Sequence, residues 1–109
     1  MLMFTLRKLQ YLFLNDNQFF GRLPRQLATF PLWALGIENN AFQGDLRPLD
    51  GKTGLIHFTA QNNQLEGPLP YFLAKWKRLA RFDISNNWFS GELPSAVANH
   101  LASVEEVNI

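Results

Sequence analysis

Residues 55–70, LIHFTAQNNQLEGPLP, contain the pattern from which the fold of this chain can be inferred. Within this stretch, residues 57–61 alternate polar and apolar side chains, which is typical of a short strand with one buried face. Asn63 follows, and then a Gly and a Leu-Pro pair, which are typical of places where the chain changes direction. One strand and one turn cannot bury an apolar face alone, so this stretch needs structurally similar neighbours.

The same arrangement occurs four times along the chain. Each copy has an Asn that is followed by an apolar residue after two positions, a Gly after four and a Leu after six. These Asn residues, at spacings of 23, 23 and 24 positions, are Asn17, Asn40, Asn63 and Asn87. Upstream of each Asn, apolar residues recur in the pattern Leu-x-x-apolar-x-apolar. Self-similarity with this period is typical of a solenoid built from stacked coils.

Together these positions give the consensus LxxLxLxxNxFxGxLPxxL, which contains the leucine-rich-repeat pattern. Its second half resembles the plant-type subclass, found in plant receptor-like kinases, receptor-like proteins and polygalacturonase inhibitors, and in protist and bacterial surface proteins. The resemblance covers the chain from about Leu6 to Ile109. It implies an α/β fold, a right-handed leucine-rich-repeat solenoid with a short parallel sheet on the concave face and 3₁₀ or short helical turns on the convex face.

We predict a single domain over residues 1–109, because a chain of this length usually forms one cooperative unit. The predicted repeats are residues 6–28, 29–51, 52–75 and 76–100, with a partial fifth repeat over residues 101–109. Since the sequence starts and stops inside a repeat, we expect a fragment of a longer array. Uncapped solenoid ends expose apolar stacking surface, which favours end-to-end stacking with further repeats.

The repeated Asn residues are predicted to form a ladder, because a side-chain amide both donates and accepts hydrogen bonds and can pair backbone groups of adjacent coils. Asn63 is central, and its loss is predicted to be the most damaging. Phe19, Phe42 and Phe89 are predicted to stack as a spine in the core. Residues 49–54 replace the apolar convex turn, so a looser loop is predicted there. The convex residues predicted to point inward are Leu27, Phe30, Leu73, Trp76, Val97 and Leu101.

Positions that differ from copy to copy are the candidates for partner binding, because on this fold they project from the concave face. Tyr, Trp and Arg are enriched where protein interfaces bury hot spots. The alternative is that these are ordinary solvated strand residues. The candidate partner-binding residues are Tyr11, Phe13, Asn15, Trp33, Glu38, His57, Thr59, Gln61, Arg81, Asp83, Ser85 and Trp88.

Composition argues against several other functions. The net charge is +1 without a basic stripe, which disfavours nucleic-acid binding. The chain has no Cys, and His57 and His100 lack closely spaced ligand or acid–base partners, so no metal, cofactor or catalytic site is predicted. Neither a membrane-spanning helix nor a signal peptide is predicted. The resemblance implies an extracellular or cell-surface location if the chain is part of a longer protein.

The sequence therefore predicts a non-catalytic module of a receptor-like or cell-surface protein, which binds a protein or peptide ligand through the concave face. Two alternatives stay open. One is a structural segment that stacks with other repeats or with itself. The other, suggested by the resemblance to polygalacturonase inhibitors, is an inhibitor of a secreted glycosidase.

Overall fold

The computed structural model describes residues 8–109, so the predicted start of the first repeat at residue 6 lies outside the described residues. Each full repeat contributes one strand to each of two parallel sheets and one short helical turn. In chain order the strands are β1 (Tyr11–Phe13), β2 (Phe20–Arg22), β3 (Ala34–Gly36), β4 (Ala41–Gly44), β5 (His57–Thr59), β6 (Gln64–Gly67), β7 (Arg81–Asp83), β8 (Trp88–Phe89) and β9 (Glu106–Asn108). The predicted leucine-rich-repeat solenoid is confirmed, and a second sheet is added to it.

The concave sheet contains, among residues 8–109, five parallel strands in the order β1-β3-β5-β7-β9. Neighbouring strands are aligned by one whole repeat, so Leu35 lies beside Phe58 and Phe58 beside Phe82. Equivalent side chains of successive coils therefore stack on each other, and the apolar ones form the core. The last strand, β9, lies within the predicted fifth repeat, residues 101–109.

The second sheet, which we call the lateral sheet, contains four strands of the described chain in the order β2-β4-β6-β8. Each of its strands begins shortly after a ladder Asn, where the chain has turned away from the concave sheet. Strands β4 and β6 end at Gly44 and Gly67, which have φ angles of +84° and +87°. Only Gly adopts this conformation readily, so the consensus Gly ends the lateral strand and redirects the chain toward the convex side.

The convex side carries the 3₁₀ helices Arg25–Thr29, Arg47–Leu49 and Tyr71–Lys75 and the helix α1 (Ser95–Leu101). A proline stands at the N-cap of three of them, and its fixed φ starts the helical turn. The residues predicted to point inward from this side are all buried. They are Leu27, Phe30, Leu73, Trp76, Val97 and Leu101.

The prediction of a looser loop over residues 49–54 is wrong. Leu49 is buried at the end of its 3₁₀ helix, and the N–H of Lys52 donates to the Leu49 carbonyl at 3.1 Å. Lys52 is itself buried, and its Nζ donates to the carbonyl of Phe30 on the preceding coil. Burial lowers the pKa of the Lys52 ammonium group. The aliphatic stem of Lys52 and this bond therefore order a turn that lacks a second apolar anchor.

The predicted Phe spine is confirmed at one contact only. The rings of Phe19 and Phe42 stack with their centroids 6.2 Å apart. Phe42 is buried, but Phe19 is 44% exposed, so its assignment to the core is wrong. Its coil is the first of the described stack, and Phe42 covers the ring from one side. Phe89 is half-buried, and Leu65 takes the equivalent place between Phe42 and Phe89, which interrupts the stack.

The aromatic core lies between the concave sheet and the convex turns. Phe58 packs against Trp76 and Phe82, with ring centroids 5.7 and 5.9 Å away. His100 contributes from helix α1, where its Nε2 lies 2.8 Å from the Trp76 carbonyl oxygen. His100 therefore has a structural partner in the core of the fourth coil.

The predicted Asn ladder joins the two sheets, as Asn63 shows most clearly. Its amide nitrogen donates to the carbonyls of Ile37 and Ala60, at 2.9 and 3.2 Å, directly after two concave strands. Its amide oxygen accepts from the N–H of Phe42 in the lateral strand β4, at 3.0 Å. A single buried side chain therefore pairs backbone groups of two neighbouring coils and both sheets.

The ladder is strongest in the middle of the array. Asn40 and Asn87 also bridge two coils through carbonyl acceptors and a backbone donor. Asn17 is exposed, and its amide nitrogen donates to the carbonyls of Leu14 and Asn15 within its own coil. The ladder is thus confirmed at Asn40, Asn63 and Asn87, while Asn17 has only the intracoil part of the arrangement.

Candidate partner-binding surface

An exposed aromatic cluster lies at the N-terminal end of the concave sheet. Phe13 is 62% exposed, and Tyr11 and Trp33 are also exposed. The Tyr11 and Trp33 rings meet edge to face, with centroids 6.0 Å apart. The neighbouring strand offers small residues beside them: a Cβ built on Gly36 would lie 2.8 Å from Cδ1 of Phe13. The Phe13 ring therefore lies over the Gly36 backbone and forms one side of an open apolar surface.

The C-terminal half of the concave sheet is charged instead. His57 and Arg81 are exposed side by side on β5 and β7, at paired positions. The Arg81 Nε lies 3.5 Å from Oε2 of Glu106 on the next strand. These residues and Glu105 line a shallow depression. Exposed ion pairs of this kind contribute little to stability, so the groups are available for exchange with a ligand.

The middle of the concave face contains polar groups that already have partners. Asp83 is only 9% exposed, which corrects the expectation that it projects freely. Its Oδ1 accepts hydrogen bonds from the N–H and the hydroxyl of Ser85, at 3.1 and 2.8 Å. The Thr59 hydroxyl donates to Oε1 of Glu38 at 3.2 Å. These four residues form a polar floor that continues from Glu38, past Thr59 on β5, to Asp83 and Ser85 at the end of β7, the strand that also carries Arg81.

Two candidates at the rim of this floor, Asn15 and Gln61, are half-buried. Asn15 donates through its amide nitrogen to Oδ2 of Asp16 at 2.9 Å. The amide oxygen of Gln61 is buried and has no hydrogen-bond partner within residues 8–109. Both side chains therefore lie beside the centre of the concave surface and do not form it.

Trp88 does not belong to this surface. It lies in β8 of the lateral sheet, next to Glu66 of β6, and is 74% exposed. The sequence placed it on the concave face because it directly follows a ladder Asn. The structure shows that the chain has already turned into the second sheet at that point.

A second polar ladder was missed by the sequence interpretation. The residue before each ladder Asn has a positive φ between 55° and 60°. Side-chain amides at these positions bond from coil to coil, at 2.7 Å between Asn62 and Asn39 and 2.9 Å between Asn86 and Asn62. Asp16 ends the ladder, and hydrogen bonds from Asn39 and Asn15 lower the pKa of its carboxyl group. The repeated Asp or Asn before each ladder Asn was the available signal, since these residues tolerate left-handed backbone.

Residues 8–109 contain no group of three or more His, Cys, Asp or Glu side chains arranged to hold a metal ion. In this part of the chain, no helix has the length and apolarity needed to cross a bilayer.

Comparison with known proteins agrees with the repeat architecture. The family model described as Leucine Rich Repeat matches residues 8–30 and 78–100. The chain is 32% identical to Receptor-like protein 35 of Arabidopsis thaliana over 96% of its own length and 12% of that protein. It therefore spans about an eighth of this curated relative.

Solved structures are similar over nearly the whole chain. The plant peptide hormone receptor RGFR1 in complex with RGF2 superposes with a TM-score of 0.89 at 29% identity, over 98% of this chain and 17% of that one. The Arabidopsis receptor kinase HAESA, solved with the peptide hormone IDA and the co-receptor SERK1, gives a TM-score of 0.85 at 28% identity, over 97% and 18%. The chain belongs to the leucine-rich-repeat family, and its repeats are of the plant type.

Proposed function

We propose that this chain is a non-catalytic recognition module that binds a protein or peptide partner through its concave face. The observation that carries the proposal is the exposed cluster of Tyr11, Phe13 and Trp33, which lies beside a polar floor whose side chains are already hydrogen-bonded. Contiguous exposed aromatic surface is unfavourable in water, and such patches mark interaction sites in folded proteins. The adjoining charged groups supply polar contacts at the rim.

The similar receptor structures support a peptide as the partner. One of them is described as a peptide hormone receptor, and the other contains a peptide hormone and a co-receptor. Five strands at a spacing of about 4.8 Å span about 19 Å, which an extended segment of about six residues would cross. On the basis of the same similarity to receptor structures, we propose that the module works at the cell surface as part of a receptor-like protein.

The test begins with the selection of linear peptides from a random display library on the immobilised full chain. Selected peptides are then measured by biolayer interferometry against a variant with Tyr11, Phe13, His57 and Arg81 all changed to Ala. We expect affinity to fall by at least about tenfold, because two aromatic anchors and two polar contacts are removed. Unchanged affinity, or the failure of any peptide to be selected, would contradict the proposal.

A matched control uses exposed residues on the convex side. Tyr71 is exposed, and Nζ of Lys75 lies 5.9 Å from the centre of its ring. Changing both to Ala removes a similar aromatic and cationic surface away from the concave sheet, and peptide affinity should not change. Thermal melts of both variants show whether the fold is retained.

A second candidate function, end-to-end association, is favoured by a groove beside the fourth coil. Its apolar lining includes Leu69, Ile84, Phe89, Leu93 and Ile109. Apolar lining of this kind suits the packing of another coil. Light scattering over a range of concentrations tests it, since association predicts a mass that rises with concentration. A constant monomer mass would exclude self-stacking and leave the recognition proposal intact.

A further inference from the structure

A shallow groove crosses the outer face of the lateral sheet, away from the proposed peptide surface. Trp88 stands at one side of it and is the second most exposed large apolar side chain in the described chain, at 74%. The groove is lined by Gln43, Gln64, Glu66, Gly67, Trp88 and Ser90. This combination is one indole ring, two amides, one carboxylate and one hydroxyl around a glycine.

Alternation along the lateral strands explains why these side chains face outward. Phe42 and Leu65 point into the core and are buried, while the residues after them, Gln43 and Glu66, are exposed. The register then brings the outward residues together, because Gln43 pairs with Gln64. Polar side chains from three coils thus lie together on the outer face of the lateral sheet. None of these side chains contributes to the core.

These polar groups have no partner within the described residues. The amides of Gln43 and Gln64, the carboxylate of Glu66 and the hydroxyl of Ser90 form no side-chain hydrogen bond there. The Trp88 indole N–H is equally free of a partner in residues 8–109. By contrast, the backbone of β6 is paired on both sides, with β4 and β8, so an extended peptide could not add to the middle of this face as a further strand.

We propose that the lateral groove is a binding site for an uncharged oligosaccharide. A sugar ring has an apolar C–H face that suits the flat, electron-rich face of an indole, and its hydroxyls both donate and accept hydrogen bonds. Amides and a carboxylate beside the ring supply those partners, which is the usual arrangement of an apolar platform with a few oriented polar groups. The carboxylate of Glu66 is the only charge in the lining, so acidic saccharides would be repelled.

The test uses the full chain labelled with ¹⁵N, because its three Trp indole N–H signals report three different places. Trp88 reports the lateral groove, Trp33 the concave face, and Trp76 the buried core. The probe is cellohexaose, an uncharged glucose oligomer, with mannohexaose as a second uncharged sugar and hexagalacturonate as the acidic counterpart. We expect an uncharged sugar to shift the Trp88 signal in a saturable manner and to leave the Trp33 and Trp76 signals in place.

Variants then assign the site. Trp88→Ala should weaken sugar binding by at least about tenfold, as should the double variant Gln43→Ala with Gln64→Ala. Phe20→Ala is the matched control, since Phe20 is also highly exposed on the lateral sheet but lies outside the groove. It should change affinity by less than about twofold.

Three results would overturn the proposal. They are the absence of a Trp88 shift with both uncharged sugars, a shift confined to Trp33, and binding of hexagalacturonate as tight as that of the uncharged oligomers. The first and third results do not bear on the proposed peptide binding, which involves a different sheet, whereas a shift confined to Trp33 would place the sugar on the concave face. The two proposals therefore fail separately.

Discussion

The concave and lateral sheets are built from the same repeats, yet they present different outer surfaces. On the concave sheet, outward side chains contact one another: Tyr11 meets Trp33, Asp83 accepts from Ser85, and Arg81 faces Glu106. On the lateral sheet, the outward side chains around Trp88 form no such hydrogen bonds within residues 8–109. The concave surface is therefore pre-arranged, whereas the lateral surface has free hydrogen-bonding groups.

The difference follows from the register of the strands. Concave strands pair positions one whole repeat apart, 23 residues for Tyr11 with Ala34 and 24 for His57 with Arg81, so equivalent residues of successive repeats become neighbours. Lateral strands pair positions two residues short of a whole repeat: Gln43 pairs with Gln64, 21 residues on, although the equivalent of Gln43 in the next repeat is Glu66. Aligning the repeats in the sequence therefore identifies which residues are neighbours on the concave sheet, but it does not identify the neighbours on the lateral sheet.

The greatest loss of stability should come from removing the connection between the two sheets. Asn63→Leu leaves the N–H of Phe42 and the carbonyls of Ile37 and Ala60 without their buried partner. Buried backbone groups without partners are costly, and we expect the free energy of unfolding to fall by about 3 kcal/mol. Urea denaturation followed by circular dichroism measures this change.

Asn17→Leu is the matched control, because Asn17 is exposed and bonds only within its own coil. It should reduce the free energy of unfolding by less than about 1 kcal/mol. Equal losses for the two variants would show that the Asn side chains act within single coils, and that the sheets are not joined through them.

A smaller effect is expected from removing one acidic side chain on each sheet. Asp83→Ala leaves the N–H of Ser85 without its acceptor on the concave side, and should destabilise the fold by about 1–2 kcal/mol. Glu66→Ala on the lateral sheet removes an exposed carboxylate without a hydrogen-bond partner in residues 8–109, and should change stability by less than about 0.5 kcal/mol. Thermal and urea unfolding at neutral pH compare the two. Similar losses would remove the distinction between a fixed and a free polar surface.

Most of the fold could be predicted from the sequence because the repeat constrains it strongly. The Asn spacing alone placed the ladder, and the apolar positions placed the concave strands and the inward convex residues. Besides the second polar ladder, two features were not predicted. The lateral sheet has short strands whose outward residues follow no apolar pattern. The turn at Lys52 is ordered by a buried lysine, a residue type that is usually exposed to solvent.

The candidate surface could be predicted only in part. The strand alternation correctly brought Tyr11 and Phe13 to the concave face, and Trp33 joined them through a ring contact. The sequence did not reveal that Asp83 is buried, because its acceptor role depends on where Ser85 lies two residues later. It also misplaced Trp88, since nothing in the residue itself marks the point where one sheet ends and the other begins.

A single added methyl group tests how closely the concave face is packed, and it should change stability least. A Cβ at Gly36 would lie 2.8 Å from Cδ1 of Phe13 and 3.0 Å from Oε1 of Glu38, so both side chains must move. At Gly54 the nearest atom would be the Leu32 carbonyl oxygen at 3.7 Å, an ordinary contact. Neither Gly has a positive φ, so both changes to Ala reduce the entropy of the unfolded chain alike.

The difference between the two variants therefore isolates the crowding of the concave face. We expect Gly36→Ala to be less stable than Gly54→Ala by about 0.5–1 kcal/mol in urea denaturation, because an exposed ring can swing aside at modest cost. The Phe13 ring signals in the NMR spectrum should shift only in Gly36→Ala. If the two variants are equally stable and the Phe13 signals stay in place, the ring does not rest on Gly36, and the concave face is no more pre-arranged than the lateral one.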